Sequence, residues 1–257
     1  MKTALLLVAW GAGTPQARHG LGAFELLCRA RFDMPARWAF TSELLRERLT
    51  RQQRKSDSVF KALQRLHYEG FDSVAIQPLQ TIAGREYEGV VTAASQIEKD
   101  AGLLCKVGAP LLAANLDRVA MALTQHLPAD RKDDEDVIFM GHGGRHCGMD
   151  SYAGLADALC RVDPRLHVGV MCGMPELEQI LSGLGSRRIW LMPLLSTVGQ
   201  HALRDMAGPD PDSWKSRVEA AGHECRPVLA GMVEISALAD IWLDHLGHAI
   251  TQVQENF

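Results

Sequence analysis

Three side chains able to bind a transition metal follow apolar runs at wide and nearly equal intervals: His142, Cys172 and His201, separated by 30 and 29 residues. Imidazole nitrogen and thiolate sulfur are donors suited to Co2+, Zn2+ and Fe2+. His142 enters through VIFMGHGGRH (137–146), where four apolar residues lead into a stretch almost bare of side chains. Cys172 follows HVGVM (167–171), and His201 follows RIWLMPL (188–194) after a short loop. In open parallel sheets ligands bind beyond the C-terminal ends of the strands, so three strand ends could bring these donors to one edge. Such spacing is not a local motif like HExxH. Taken alone it leaves open a second reading, two hydrogen-bonded loop histidines and a buried thiol. His146 suits either an entry path to that edge or an exposed loop. His67, His126, His245 and His248 fall on helix-like stretches, where surface placement is expected.

The elements that must position these residues read as strands alternating with helices. Strands are predicted over 4–10, 37–40, 73–79, 103–107, 137–140, 167–171, 188–194 and 224–228. Their apolar runs are continuous rather than alternating, the pattern of a parallel sheet covered on both faces. Val59, Phe60, Leu63 and Leu66 make a helical stripe that ends at Gly70, a C-terminal stop. Leu116, Val119, Leu123 and Leu127 make another. The most polar stretch, LPADRKDDED (127–136), is the expected boundary between two α/β halves, 1–127 and 128–257, with the option that the last helix packs back on the N-terminal half. The halves also resemble each other. SVAIQPLQTIAGREYEGV (73–90) matches RIWLMPLLSTVGQHALRDM (188–206) at an offset of 115, setting Pro78 on Pro193, Gly84 on Gly199 and Glu86 on His201. ALLLVAWGAG aligns with VIFMGHGG and sets Trp10 against His142.

Composition removes several classes of function. A formal net charge of −4 gives no footprint for nucleic acid or a polybasic membrane contact. No apolar window approaches the ~20 residues of a membrane helix. Six scattered cysteines without a CxxC pair suit a reducing compartment. The N-terminal apolar run spans only about eight residues and passes into a Gly-rich loop, which reads as a first strand rather than a signal peptide and places the chain in the cytoplasm. GAGTPQ lacks the full GxGxxG, and neither a Walker A sequence nor a G-x-S-x-G elbow is present. GHGGRH has an esterase-like look but no partner nucleophile. The basic run RERLTRQQRK (46–55) suits a solvated helix face, or a polycarboxylate ligand held by Arg forks.

Several long, ordered segments identify a family: KTALLLVAWG, AFTSELLRERL, VAIQPLQTIAGREYEGV, VGAPLL, VIFMGHGGRH, LMPLLSTVGQHALRDMAG and DPDSWKSR. Through them the chain resembles the anaerobic sirohydrochlorin cobaltochelatases of cobalamin biosynthesis, class II chelatases related in fold to ferrochelatase. The resemblance implies two similar α/β domains, each a parallel sheet flanked by helices, with the active site in the cleft between them. It implies insertion of Co2+ into the planar tetrapyrrole sirohydrochlorin with release of two protons. Fe2+ insertion to make sirohaem is the nearest alternative, and a non-catalytic tetrapyrrole or metal carrier is another. No organic cofactor is implied, since the divalent metal is a substrate. Neither nucleic acid nor membrane is an expected partner, and a homo-oligomeric state is left open.

By the same resemblance His142, of the M-G-H-G motif, binds metal and accepts a pyrrole proton. His201, of the G-x-H-A motif, is a second ligand, and Glu86, of the E-Y-E motif, assists in proton removal or metal handling. The sequence departs from the family pattern at one place: VGVMCGMPE puts Cys172 where relatives carry a metal-binding glutamate. Cys172 is therefore expected either to supply a soft donor or to leave that position vacant. Gly11, Gly13, Gly143 and Gly144 are expected to clear space for a flat ring, with Trp10 stacking on it or packing in the core.

Overall fold

The computed structural model describes residues 2–54, 56–113, 115–144 and 149–256; Arg145, His146 and Cys147 lie outside them. All eight apolar runs form strands. The first four, β1 (Thr3–Ala9), β2 (Ala36–Phe40), β3 (Ser73–Pro78) and β4 (Leu104–Val107), make one parallel sheet in the order β2-β1-β3-β4. The second four, β5 (Asp136–Gly143), β6 (Leu166–Cys172), β7 (Arg188–Pro193) and β8 (Glu224–Pro227), repeat that order as β6-β5-β7-β8. Their apolar runs are continuous because helices cover both faces: Ala4 through Ala9 of β1 and Val137 through Met140 of β5 are all buried. Each buried leucine-sized side chain contributes roughly 1.5–3 kcal/mol relative to exposure.

The helices are α1 (Pro15–Phe32), α2 (Glu43–Arg51), α3 (Val59–Tyr68), α4 (Arg85–Ala101), α5 (Leu116–Thr124), α6 (Met149–Val162), α7 (Leu177–Leu181), α8 (Trp214–Ala220) and α9 (Ser236–Glu255). Thr14, Ser42, Ser58, Asn115 and Ser213 cap five of them by accepting an N–H of the first turn. The stripe on α3 buries Val59, Leu63 and Leu66 against the first sheet, and Gly70, at φ 76, ends the helix as its sequence indicates. The stripe on α5 is shorter than its periodicity suggests, because the helix stops at Thr124, before Leu127.

The chain divides into two compact units, Met1–Leu111 with Ala239–Phe257, and Leu112–Leu238. This division falls upstream of the polar stretch 127–136, because α5 packs against α6. The C-terminal α9 belongs to the first unit. There Trp242 meets Phe24 edge-on at 6.4 Å, Asp244 takes Arg31 at 2.6 Å, and His245 Nδ1 donates to the Ala109 carbonyl at 2.9 Å.

The repeat read from the sequence holds at the level of single hydrogen bonds. Leu79 N donates to Val8 O and Leu194 N to Met140 O, both at 2.8 Å, so each Pro-Leu step leaves its strand against the same point of the neighbouring strand. Gly84 N bonds to Ile82 O and Glu88 N to Gly84 O; at the offset of 115, Gly199 N bonds to Thr197 O and Leu203 N to Gly199 O. Position 86 is thereby the structural counterpart of position 201. Position 10 is the counterpart of position 142, since each stands two residues beyond the carbonyl that accepts from the Pro-Leu step.

Burial sorts the thiols. Cys28, Cys105 and Cys225 are buried, and loss of solvation pushes each thiol up to about 12, whereas Cys160 and Cys172 are exposed. Because the thiolate is the reactive form, a brief alkylation of native protein at pH 8, read by peptide mass spectrometry, should label Cys160 and Cys172 and spare the three buried residues.

Candidate metal centre

In each sheet the strand order reverses beside the first strand. β5 connects through α6 to β6 on one side, while β7 lies on its other side and leads to β8. Connections that diverge in this way open a crevice at the C-terminal ends of the two strands, the usual ligand position of open α/β sheets. His142 stands at the end of β5 and His201 just after β7, and this topology brings them together. Their ring centroids are 5.1 Å apart with planes at 79°.

The backbone around His142 is held from beneath. Tyr152 of α6 is buried, and its ring fills the space below Gly141, where a Cβ would lie 2.6 Å from Cε1. Burial pushes its phenol up to about 12. Gly143 has φ +72, and a Cβ there would lie 2.0 Å from the Cys172 carbonyl oxygen. That carbonyl accepts from Gly144 N at 2.8 Å.

The glycines therefore serve a different purpose from the one expected of them. Gly141 and Gly143 exist because a ring and a neighbouring carbonyl occupy the place of a side chain. Gly11 likewise lies against Leu45, whose Cδ2 a Cβ would meet at 1.7 Å, while a Cβ at Gly13 would meet the same side chain at an ordinary contact of 3.4 Å. Of the four expected to clear space, Gly144 alone faces open surroundings, with nothing within 4 Å of a built Cβ.

Both imidazoles are oriented through the same nitrogen. His142 Nδ1 lies 3.1 Å from the Gly143 carbonyl, and His201 Nδ1 lies 2.6 Å from Asp205 Oδ2. A carbonyl and a carboxylate can only accept, so Nδ1 carries the proton in each ring and Nε2 carries the lone pair. An outer carboxylate or carbonyl of this kind fixes the tautomer of a metal-binding histidine and raises its basicity. Residues 201–206 form a π-helical turn, closed by Ala207 N to Ala202 O at 3.2 Å, and the i,i+4 spacing within it sets His201 and Asp205 side by side.

The other sequence candidates are Cys172 and Glu86. Cys172 is the last residue of β6, exposed, and paired in register with Gly143. It is one residue out of phase with His142, and alternate strand residues point to opposite faces. Among the described residues no group of three His, Cys, Asp or Glu side chains comes together to hold a metal ion. Glu86 is exposed in the first turn of α4 in the first unit, two residues beyond the Gly84 cap. Asp205 and Tyr152 were not singled out by sequence. The i,i+4 spacing from His201 is a signal that could have found Asp205, whereas nothing local marks Tyr152.

Residues 3–251 match the family model described as Cobalt chelatase (CbiK). The chain belongs to this family. Within it, the sirohydrochlorin cobaltochelatase CbiKC of Nitratidesulfovibrio vulgaris is 48% identical over 99% of this chain and 93% of its own length. The sirohydrochlorin cobaltochelatase of Salmonella typhimurium is 34% identical over 99% of each. Among solved structures, the sirohydrochlorin chelatase SirB from Bacillus subtilis subspecies spizizenii in complex with cobalt shares the fold, with a TM-score of 0.68 over 100% of this chain and 99% of that one at 13% identity. Among the described residues no helix is long and apolar enough to cross a membrane.

If Asp205 sets the His201 tautomer, Asp205→Asn should weaken Co2+ binding roughly tenfold, the lower end of what loss of such a partner costs. Titration of the apoprotein with Co2+, followed by calorimetry, measures this directly. Gly141→Ala should lower thermal stability by about 1–3 kcal/mol, because its Cβ would lie 2.6 Å from the buried Tyr152 ring.

Proposed function

We propose that this chain inserts Co2+ into sirohydrochlorin with release of two protons, and that His142 and His201 hold the incoming ion. The observation that carries this reading is the pair of imidazoles at the switch point, 5.1 Å apart and each turned by a bond at Nδ1 so that Nε2 bears the lone pair. Two neutral nitrogen donors bind a divalent ion while leaving other coordination positions to water and substrate, as delivery requires. A closed set of four protein ligands would retain the metal instead.

The chemistry balances without an electron donor. Two N–H bonds of the macrocycle break, its four nitrogens bond the dication, and two protons leave in exchange for two positive charges. Those protons need acceptors within hydrogen-bond reach. The His142 Nε2 lone pair, once it gives up the metal, becomes free to take a proton, so ligand release and deprotonation use one atom in succession. Glu86 is the second acceptor in this reading, supported by its placement as the counterpart of His201 in the repeat. No organic cofactor has a role in this exchange.

Cys172 stands outside the donor pair in this proposal, leaving vacant the position that relatives fill with glutamate. Its register beside Gly143 supports this. A thiolate donor would also tighten Co2+ binding and oppose transfer. Cys172→Ser should then leave the insertion rate within about twofold, a change below ~0.5 kcal/mol.

The direct test is anaerobic incubation of protein, sirohydrochlorin and Co2+, with Fe2+ in a parallel arm, followed by absorbance. The proposal expects insertion faster than in buffer, fastest with Co2+; no acceleration with either ion would refute it, and a preference for Fe2+ would reassign the metal. His142→Ala should lower the rate at least about a hundredfold, the lower range of contributions from positioned proton acceptors.

A further inference from the structure

Helix α1 buries one face and leaves the opposite face apolar and in water. Ala17, Leu21, Phe24 and Cys28 enter the core, with Phe24 edge-on against Trp242. On the other side Leu26 is 68% and Leu27 42% exposed. Gly22, Ala23 and Ala30 beside them are exposed as well. A single exposed leucine is ordinary on a protein surface; this one belongs to a pattern. His19, Ala23, Leu26, Ala30 and Asp33 follow one another at intervals of four, three, four and three residues. That spacing keeps a row of side chains turned toward a second helix.

The ends of the row are matched about its centre. A basic side chain, His19, stands seven residues before Leu26, and an acidic one, Asp33, seven residues after it at the C-cap. Other charged groups of α1 are engaged within the chain. Arg29 pairs with Glu25 at 2.8 Å, Arg31 with Asp244 at 2.6 Å, and Arg18 Nη1 lies 3.4 Å from the Ala12 and Gly13 carbonyls. Among the described residues the side chains of His19 and Asp33 have no partner.

In a two-fold contact, a residue ahead of the axis meets the one equally far behind it on the other copy. A second α1 laid antiparallel with Leu26 on the axis therefore sets each His19 against the Asp33 of the other copy. The same register sets Gly22 against Ala30, small residues that let the backbones approach to the ~8 Å of close helix packing. Antiparallel helices also oppose the unlike ends of their dipoles. A parallel pair would instead set Asp33 against Asp33.

We propose that α1 is the two-fold contact of a weak homodimer, with Leu26 at its centre and a His19–Asp33 pair at each end. The surface sets the strength. The helix is about 27 Å long and about 10 Å wide, a footprint well below the ~800 Å² per partner of a tight complex. Dimers accordingly form only at high protein concentration. The proposal concerns a surface of the first unit and is independent of the metal chemistry after β5 and β7.

Sedimentation equilibrium of the full chain from ~5 to ~500 μM, the range of weak association, tests it. The average mass should climb from 28.2 kDa toward twice that value. Leu26→Asp should stay at one protomer throughout, and retained Co2+ binding shows that this variant is folded. His19→Asp, which opposes two carboxylates at each end, should weaken the dimer about threefold or more. Adding Asp33→His exchanges the pair and should bring the Kd back within about twofold of wild type. Histidine is among the residues that accept the left-handed backbone of position 33, at φ 47. A wild-type mass that stays at one protomer overturns the proposal. So does a dimer that Leu26→Asp leaves intact, or an exchanged pair that binds no better than His19→Asp alone.

Discussion

His142 and His201 meet because β5 ends between β6 and β7 while the connections after β5 and β7 leave in opposite directions. Every other feature of the site answers to that geometry. The parallel register brings the Cys172 carbonyl so close to β5 that position 143 tolerates no Cβ, and the ring of Tyr152 does the same at position 141. Between these two glycines His142 is the one side chain, exposed and turned by the Gly143 carbonyl. On the adjacent strand end, the i,i+4 spacing within the turn after β7 brings Asp205 beside His201 and sets its tautomer. The outcome is two similarly prepared nitrogen donors on a scaffold of buried strands, which matches an ion that must be held and then released.

The internal repeat shows one topology carrying two different sets of side chains. The two units share strand order, the Pro-Leu strand exit and the hydrogen bonds of the following loop, bond for bond. They differ in the side chains presented at equivalent places. The second unit presents imidazoles at 142 and 201, where the first presents the indole of Trp10 and the carboxylate of Glu86. The backbone differs too, since His201 opens a π-helical turn while Glu86 lies in the first turn of an α-helix.

Much of this was legible in the sequence because the signals are local. Continuous apolar runs mark all eight strands, and the offset of 115 between Pro78 and Pro193 marks the repeat. The same run of residues named His142 and His201. What was not legible depends on contacts between distant segments. The bare stretch GHGG looked like clearance for a ligand, yet two of its glycines answer to Tyr152 and to the Cys172 carbonyl, which only the folded sheet brings near. The phase of Cys172 relative to His142 likewise follows from the pairing of β5 with β6 and has no trace in spacing. The division of the chain at Leu111 rather than in the polar stretch reflects the packing of α5 on α6, and polarity alone marks a loop without saying which unit its flanks join.

The central claim is that a divalent ion is held by the Nε2 atoms of His142 and His201 and by no sulfur. X-ray absorption at the cobalt edge of the Co2+-loaded protein tests it most directly. The account predicts the outer-shell scattering of two imidazoles, with nitrogen and oxygen neighbours at about 2.0–2.2 Å, the range of first-row metal sites of this type. It also predicts that the imidazole signal falls by half in the His201→Ala protein. A sulfur shell near ~2.3 Å, or an imidazole signal that His201→Ala leaves intact, would contradict it.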